Sequence, residues 1–176
     1  MSLSSCFNDS QYYPFSEKEL DFVSYEEGQT LKFIDTSGIT HILMQNKYKH
    51  KFDEVIGIYG SYGYSEEYEV SYTMQNSATT WHNVYLATGL QSILNIDLWG
   101  FGIYTMADPP GTPRPLEVSY ASLTIADKTY VNVYAFKASK QYGPQNTRDT
   151  ATLFWNREYG AIQLLFPNGK TITRVD

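Results

Sequence analysis

The sequence predicts an all-β fold: an antiparallel meander that forms a sandwich or a partly open barrel, with at most one or two short helices. Apolar and polar residues alternate with a period of two along much of the chain, whereas helical periodicity hardly appears. Turn residues separate about ten to twelve such segments at short spacing. No long amphipathic segment is present to cross between parallel strands, so a parallel α/β fold is excluded.

The composition is that of one packed domain. Hydrophobic residues make up 42% of the 176 residues, and tyrosine alone occurs 16 times, in keeping with the preference of sheets for aromatic side chains. We expect a disordered tether over 1–11 and a single domain over 12–176. The formal charge of −6 and the lack of a large Lys/Arg cluster argue against nucleic acid as a partner.

A short helix is predicted near the N-terminus. Ser16 fits an N-cap, and Glu19 completes a capping box three residues later. Leu20, Phe22 and Tyr25 then continue more like a strand. A second, weaker candidate for a helical turn spans 78–85.

The strands of the first hundred residues follow from alternation and turn chemistry. A hairpin is predicted from Leu31 through the turn 35–38 to Met44, because Gly38 supplies the positive φ that the turn needs. Two further strands are expected at 67–74 and 94–98. Their predicted buried residues are Tyr68, Val70, Tyr72, Met74, Leu94, Ile96 and Leu98.

Two hairpins are predicted in the C-terminal third. The segments 119–125 and 129–136 are joined by the pair Asp127-Lys128, and 161–166 returns to 171–175 through Asn168-Gly169, a strong hairpin signal. The strand at 129–136 has apolar residues on both faces, so we expect it to be covered on both sides. One face carries Tyr130, Tyr134 and Phe136, and the other carries Val131, Val133 and Ala135.

Two loops have unusual compositions. The segment 57–64 is rich in glycine and tyrosine, which is typical either of an adaptable contact surface or of a strand–turn–strand with bulges. On the first interpretation, the candidate ligand surface consists of Tyr59, Tyr62 and Tyr64. The segment 108–115 carries four of the seven prolines and is predicted to be a stiff, exposed connection.

The residues that carry chemistry are sparse. The three histidines, His41, His50 and His82, fall on separate predicted elements, and we expect neither a metal site nor a cofactor. No nucleophile motif or phosphate-binding loop is present. Paired carboxylates are the remaining enzyme interpretation, since glycosidases use two of them; the candidates are Glu66, Glu67, Glu69 and Glu158. Strand alternation nevertheless places Glu67 and Glu69 on a solvent face.

The single cysteine lies in a lipobox-like sequence. Leu3-Ser4-Ser5 precedes Cys6, as in bacterial lipoprotein signals, where a small residue precedes the lipid-modified cysteine. The apolar run that belongs before such a site is not in this sequence, and the alternative is an ordinary thiol in a disordered tail. The polar residues 7–11 suit a tether between an anchor and a domain.

The C-terminal third carries a family resemblance. The segment 123–134 resembles the "L-x-I-x-G-K-x-Y-x-D-V-Y" strand pair of small Bacteroidetes envelope lipoproteins, and 152–162 resembles their "V-Y-Y-x-K-E-Y-G-I-I" segment. The Asn-Gly-Lys-Thr sequence at 168–171 and Tyr-Tyr-Pro-Phe at 12–15 are also similar. Asp127 and Asn132 depart from the pattern, which usually has Gly and Asp there.

This resemblance implies a lipid-anchored β domain in the cell envelope, held at the outer membrane through Cys6, and it implies no activity. We therefore expect a non-catalytic binding or assembly module. The alternatives are a carbohydrate-binding module that uses exposed Tyr and Trp, and a glycoside hydrolase that uses paired carboxylates.

Overall fold

The computed structural model describes residues 11–56, 62–75, 77, 79–88, 92–107, 117–140 and 150–176. These residues form twelve strands and one short helix, so the all-β prediction is confirmed. In chain order the elements are β1 Gln11–Tyr13, α1 Glu17–Leu20, β2 Thr30–Asp35, β3 Thr40–Ile56, β4 Tyr62–Met74, β5 Thr80–Ala87, β6 Ser92–Leu98, β7 Phe101–Ala107, β8 Glu117–Ile125, β9 Lys128–Lys140, β10 Thr150–Asn156, β11 Gly160–Leu165 and β12 Thr171–Arg174.

Ten of these strands close into a barrel. Their order is β4-β3-β2-β12-β11-β10-β9-β7-β6-β5, and β5 pairs with β4 to complete the circle. Outside the circle, β1 pairs in parallel with β4, and β8 pairs antiparallel with β9. The sheet is therefore a closed barrel with two added strands, and its closure removes edges that an open sheet would present to other chains.

The barrel interior is a packed core. The inward positions that alternation predicts on β4 and β6 are fully buried, except that Met74 at the end of β4 is half-buried. Each fully buried aliphatic side chain contributes about 1.5–3 kcal/mol to stability. The fully buried side chains include Leu31, Phe33, Leu43, Tyr68, Val70, Tyr72, Leu94, Ile96, Leu98, Leu153 and Trp155.

Both Gly-containing hairpin turns form as predicted. Gly38 has φ +83° between β2 and β3, and Gly169 has φ +79° between β11 and β12. Asp35 also accepts hydrogen bonds at Oδ1 from the backbone N–H groups of Ser37 and Ile39, at 2.8 and 3.0 Å. The turn between β8 and β9 is displaced by one residue. It consists of Ala126 and Asp127, both at positive φ, rather than Asp127-Lys128.

The predicted helical turn at 78–85 is wrong. Thr80–Ala87 is the strand β5, in which His82, Val84 and Leu86 are buried and alternate with more exposed residues. Pairing with β4 on one side and β6 on the other satisfies its backbone groups. Pairing with neighbouring strands therefore determines the conformation of this segment. The helix α1, by contrast, forms with Ser16 as N-cap and with both hydrogen bonds of the capping box.

The predicted faces of β9 are wrong on the N-terminal side of Asn132. Asn132 adopts φ +53°, a left-handed conformation that Asn tolerates better than most residues, and the alternation changes there. Tyr130 and Val133 consequently share a small second core with Ile125 and Ile162, while Val131 is exposed. Beyond the change, Tyr134 and Phe136 pack against the main core, as expected for this part of the strand.

The N-terminal segment crosses one end of the barrel. Phe15 N–H donates to Glu66 Oε2 on β4 at 2.6 Å, and Trp155 Nε1–H on β10 donates to the carbonyl of Asp21 at 2.8 Å. Since β4 and β10 lie opposite each other in the ten-strand order, the segment between these contacts spans the barrel mouth. The aromatic side chains that it places in the core are Phe15, Phe22 and Tyr25.

Candidate functional site

The β3–β4 hairpin extends past the strand that follows it, and β1 occupies the vacated edge. β3 pairs with β4 from Leu43 to Ile56, whereas β5 pairs with β4 only as far as Glu67. β1 then pairs with the segment 63–65 of β4. This arrangement sets Tyr12 beside Tyr64 in register.

Three aromatic side chains meet on this extension, and we refer to Tyr12, Phe52 and Tyr64 as the aromatic patch. The rings of Tyr12 and Tyr64 are stacked, with centroids 5.0 Å apart and planes 17° apart. Phe52 meets Tyr12 edge-on at 6.4 Å. Tyr12 is 65% exposed and Phe52 is 47% exposed. The patch is thus a solvent-facing cluster of rings in mutual contact.

The backbone on the C-terminal side of Tyr12 is anchored by side chains. The Thr88 hydroxyl donates to the carbonyl of Tyr13 and accepts from the backbone N–H of Glu66 at 3.0 Å. Glu66 also binds Phe15 N–H and lies 2.7 Å from His50 Nε2. The buried Phe15 ring stacks on His50 at 5.9 Å. These contacts fix the position from which Tyr12 projects.

Of the three predicted ligand residues, the structure describes the side chain of Tyr64 alone. Tyr59 lies outside the described residues, and Tyr62 is described as backbone at the start of β4. The anchor candidate Cys6 and the proline-rich segment 108–115 also lie outside them. Sequence reasoning missed Phe52, and it mentioned Tyr12 only for the family resemblance. The sequence signal for Phe52 is its position as an aromatic residue within a run of charged ones.

The candidate catalytic carboxylates on β4 form ion pairs or hydrogen bonds with other residues, and Glu158 is separated from them. On the outer face, Glu69 is 2.7 Å from Lys47, and Glu67 bonds to Lys49. Glu66 holds the N-terminal segment, as described above. Glu158 lies between β10 and β11, and three strands separate β11 from β4. The structure therefore does not assemble these four carboxylates around one cleft.

A buried polar network occupies the barrel interior. His82 Nδ1 lies 2.6 Å from the carbonyl of Asp97, so this nitrogen carries the proton and donates. His82 Nε2 is then the acceptor for the Tyr25 hydroxyl at 2.8 Å. That hydroxyl in turn accepts from Ala161 N–H at 2.8 Å. Because every contact depends on the others, the network fixes one tautomer of His82 and one position of Tyr25.

The electrostatics of this network indicate a structural role. Burial lowers the pKa of His82 to about 4, so the imidazole is neutral at pH 7. Burial also raises the pKa of the Tyr25 hydroxyl far above its ordinary value. A general acid or base needs a pKa near the working pH, and burial shifts the pKa values of both groups away from it.

The prediction that the three histidines fall on separate elements is wrong, because His41 and His50 both lie on the long strand β3, whereas His82 lies on β5. His41 Nε2 lies 3.0 Å from Asp35 Oδ2, His50 contacts Glu66, and His82 lies in the interior. Among the described residues, no group of three or more His, Cys, Asp or Glu side chains could hold a metal ion. No helix in the described part of the chain is long and apolar enough to span a membrane.

Comparison with known proteins adds no relative. No protein-family model, curated protein or solved structure matches this chain.

Proposed function

We propose that this protein is a non-catalytic binding module of the cell envelope, held at the outer membrane by a lipid on Cys6, and that it binds its ligand through the aromatic patch. The observation that carries the binding role is the exposed, stacked ring of Tyr12. The anchor is motivated by the lipobox-like sequence and by the resemblance to envelope lipoproteins.

The patch has the physical properties of a binding surface. Large apolar groups that cluster on a surface are typical of interaction sites, whereas single exposed ones are common everywhere. The rings contact one another and the backbone beside Tyr12 is pinned by Thr88 and Glu66. Ordering of this surface on ligand binding therefore costs little conformational entropy.

Carbohydrate is the ligand class that these residues favour. An exposed tyrosine ring offers a flat apolar platform with a polar hydroxyl at its rim, which matches the C–H face and hydroxyl edge of a sugar. The cross-strand neighbour of Tyr64 is Glu54, an exposed carboxylate that can accept hydrogen bonds from sugar hydroxyls. A protein partner remains the broader alternative.

The Tyr12→Ala variant tests the binding surface. We expect it to weaken glycan binding at least about tenfold, equal to about 1.4 kcal/mol, because it removes the ring and leaves β1 backbone pairing in place. Glycans selected on an array of envelope and host oligosaccharides are titrated by isothermal calorimetry. The matched control is Tyr104→Ala, since Tyr104 is 58% exposed on β7 and should be removable without effect.

Two results would contradict parts of this proposal. If no glycan binds the wild type, the carbohydrate assignment is wrong. In that case a photo-crosslinking amino acid is placed at position 12 or at position 104, and crosslinking in cells tests whether a protein partner binds there. Equal crosslinking from both positions, or none from position 12, would contradict the patch as a binding surface.

The Cys6→Ser variant tests the anchor. We expect the wild-type gene product, expressed in a bacterium with lipoprotein processing, to enter the detergent phase and to incorporate a labelled fatty acid. Cys6→Ser should do neither, because a serine cannot form the thioether to the lipid. The Tyr12→Ala protein is the control and should partition like the wild type. Wild-type protein in the aqueous phase would refute the anchor.

A further inference from the structure

The long β3–β4 hairpin separates the aromatic patch from the β2–β3 turn at the other end of β3. The two strands stay paired as far as Ile56 and Tyr62. Phe52 lies twelve residues after Thr40, the first residue of β3, and a strand rises about 3.3 Å per residue. The patch is therefore up to about 40 Å from the β2–β3 turn and lies near the opposite end of the hairpin.

The proposed lipid anchor precedes the patch by only a few residues. β1 runs parallel to β4, with Gln11 beside Gly63, so the chain enters the described structure at the same end of the hairpin as the patch. Cys6 precedes Tyr12 by six residues, and six residues span at most about 22 Å. A lipid on Cys6 therefore keeps the backbone of Tyr12 within about 22 Å of a cysteine at the membrane surface.

The charges on the strands that carry the patch favour a neutral ligand. The sequences of β1 and β4 contain no lysine or arginine. All three lysines of β3 form ion pairs: Lys49 and Lys51 contact Asp53 at 2.8 and 2.5 Å, and Lys47 contacts Glu69. Attraction to anionic lipids needs free basic groups near the membrane, each contributing about 1 kcal/mol. These strands offer none, so an anionic surface is not the ligand that they suit.

We propose that the ligand of the aromatic patch is the neutral sugar head group of a glycolipid in the membrane that holds the anchor. The proposal rests on the proposed function and deepens it, because it names where the sugar is displayed. Tyrosine suits this position, since its ring is apolar and its hydroxyl is polar, as the lipid–water interface requires. The Tyr12 ring stacks on the C–H face of the sugar, and the exposed carboxylate of Glu54 accepts hydrogen bonds from its hydroxyls.

The short distance to the anchor allows a small patch to be sufficient. Three rings offer much less area than the roughly 800 Å² per partner of a standard protein interface, so the intrinsic affinity for one sugar is weak. A ligand that a short chain segment keeps near its site is present at an effective concentration on the order of 1 mM. A dissociation constant of about 1 mM then gives half occupancy. A sugar free in solution at lower concentration would leave the patch largely empty, which favours a membrane-borne ligand.

Vesicles that carry the protein on Cys6 test the proposal. Cys6 is the only cysteine, so the full chain is coupled through it to a maleimide lipid. Phosphatidylcholine vesicles with and without digalactosyl diacylglycerol are then compared by hydroxyl-radical footprinting. On the glycolipid vesicles, oxidation of Tyr12 and Phe52 should slow at least about twofold, as half occupancy predicts, and excess soluble digalactosyl glycerol should restore the rates. Tyr104, which is 58% exposed on β7, should be oxidised equally on both.

Two controls separate the sugar from other causes of protection. Vesicles with anionic phosphatidylglycerol in place of the glycolipid should give no protection, because the lysines of β3 are already paired. In the Tyr12→Ala protein, Phe52 should be oxidised equally on both kinds of vesicle, whereas Tyr104→Ala should behave as the wild type does.

The outcomes distinguish this proposal from the proposed function. Equal oxidation of Tyr12 on vesicles with and without glycolipid would overturn the glycolipid, and so would protection on anionic vesicles or protection that soluble sugar does not reverse. If the protein binds soluble glycans through Tyr12 but shows no such protection, sugar binding stands and the glycolipid assignment is wrong. Because the proposal rests on the anchor, wild-type protein in the aqueous phase of the detergent extraction would overturn both together.

Discussion

Gly160→Ala is expected to lower the free energy of unfolding by about 2–5 kcal/mol, because two costs add. Gly160 has φ +69°, a conformation that L-residues rarely adopt. A Cβ built there would also lie 2.3 Å from Cζ of Tyr25, far inside van der Waals contact. Overpacking in a core usually costs about 1–3 kcal/mol, and a left-handed alanine about 1 kcal/mol more.

The clash at Gly160 cannot be relieved by moving Tyr25. Its hydroxyl is held by Ala161 N–H and His82 Nε2, and its backbone N–H and C=O both bind the Tyr68 hydroxyl, at 3.0 and 3.1 Å. Displacing the ring would leave buried polar groups without partners, each costing about 1–3 kcal/mol. The upper part of the expected range includes one such loss.

Urea unfolding followed by circular dichroism measures the effect, with Gly28→Ala as the matched control. Gly28 has φ +80° with no atom within 4 Å of the added Cβ, so this variant isolates the backbone cost of about 1 kcal/mol. In a Tyr25→Ala background, Gly160→Ala should also cost only that amount, because the clash is gone. Equal losses for Gly160→Ala and Gly28→Ala would contradict the packing argument.

Sequence reasoning succeeded where the structure depends on local rules. The inward residues of β4 and β6 follow from alternation, the capping box of α1 from Ser16 and Glu19, and the hairpin turns from Gly38 and Gly169. In each case the decisive neighbours are within a few residues along the chain. The confirmed parts of the fold prediction are therefore those that need no knowledge of strand order.

The rest of the fold depends on long-range contacts. The barrel closes through pairing of β7 with β9, which is limited to two register pairs in the described residues, and no local pattern specifies it. Tyr25 was expected to continue a strand, yet its ring enters the core because Gly160 leaves room for it. Asn132 changes the faces of β9 through one dihedral angle, which alternation cannot reveal.

The candidate site shows the same division. Tyr64 could be singled out from the sequence because it lies in a tyrosine-rich segment. Its neighbours Tyr12 and Phe52 reach it only through the parallel pairing of β1 with β4 and the register of β3 with β4. Composition can thus suggest one member of an aromatic patch, while the pairing of distant strands determines the others.

Lowering the pH from about 6.5 to about 4 is expected to remove about 3 kcal/mol of stability through His82 alone. The pKa of this imidazole is about 4 in the folded protein against an ordinary value of 6.5, because full burial disfavours the charged form and Arg174 repels it. Above pH 6.5 both the folded and the unfolded chain carry neutral His82, so this residue adds no pH dependence there.

The direction of the effect follows from proton binding. Between pH 6.5 and 4 the unfolded chain binds a proton at His82 that the folded chain does not, so acidification favours unfolding. Below pH 4 both states are protonated and the loss is complete. In the folded protein a protonated Nε2 can no longer accept the hydrogen bond from Tyr25, and the charge would lie between the rings of Tyr72 and Trp155.

The His82→Gln variant isolates this contribution. Free energies of unfolding are measured in urea at intervals from pH 7.5 to 3.5, and the decrease between pH 6.5 and 4 should be smaller in the variant by about 3 kcal/mol. The half-buried Asp97 has a raised pKa and acts in the opposite direction, since its folded form gains the proton first. Because Asp97 is present in both proteins, the difference between the two curves reports His82. Parallel curves would show that the Tyr25–His82 hydrogen bond does not control the acid stability of the barrel.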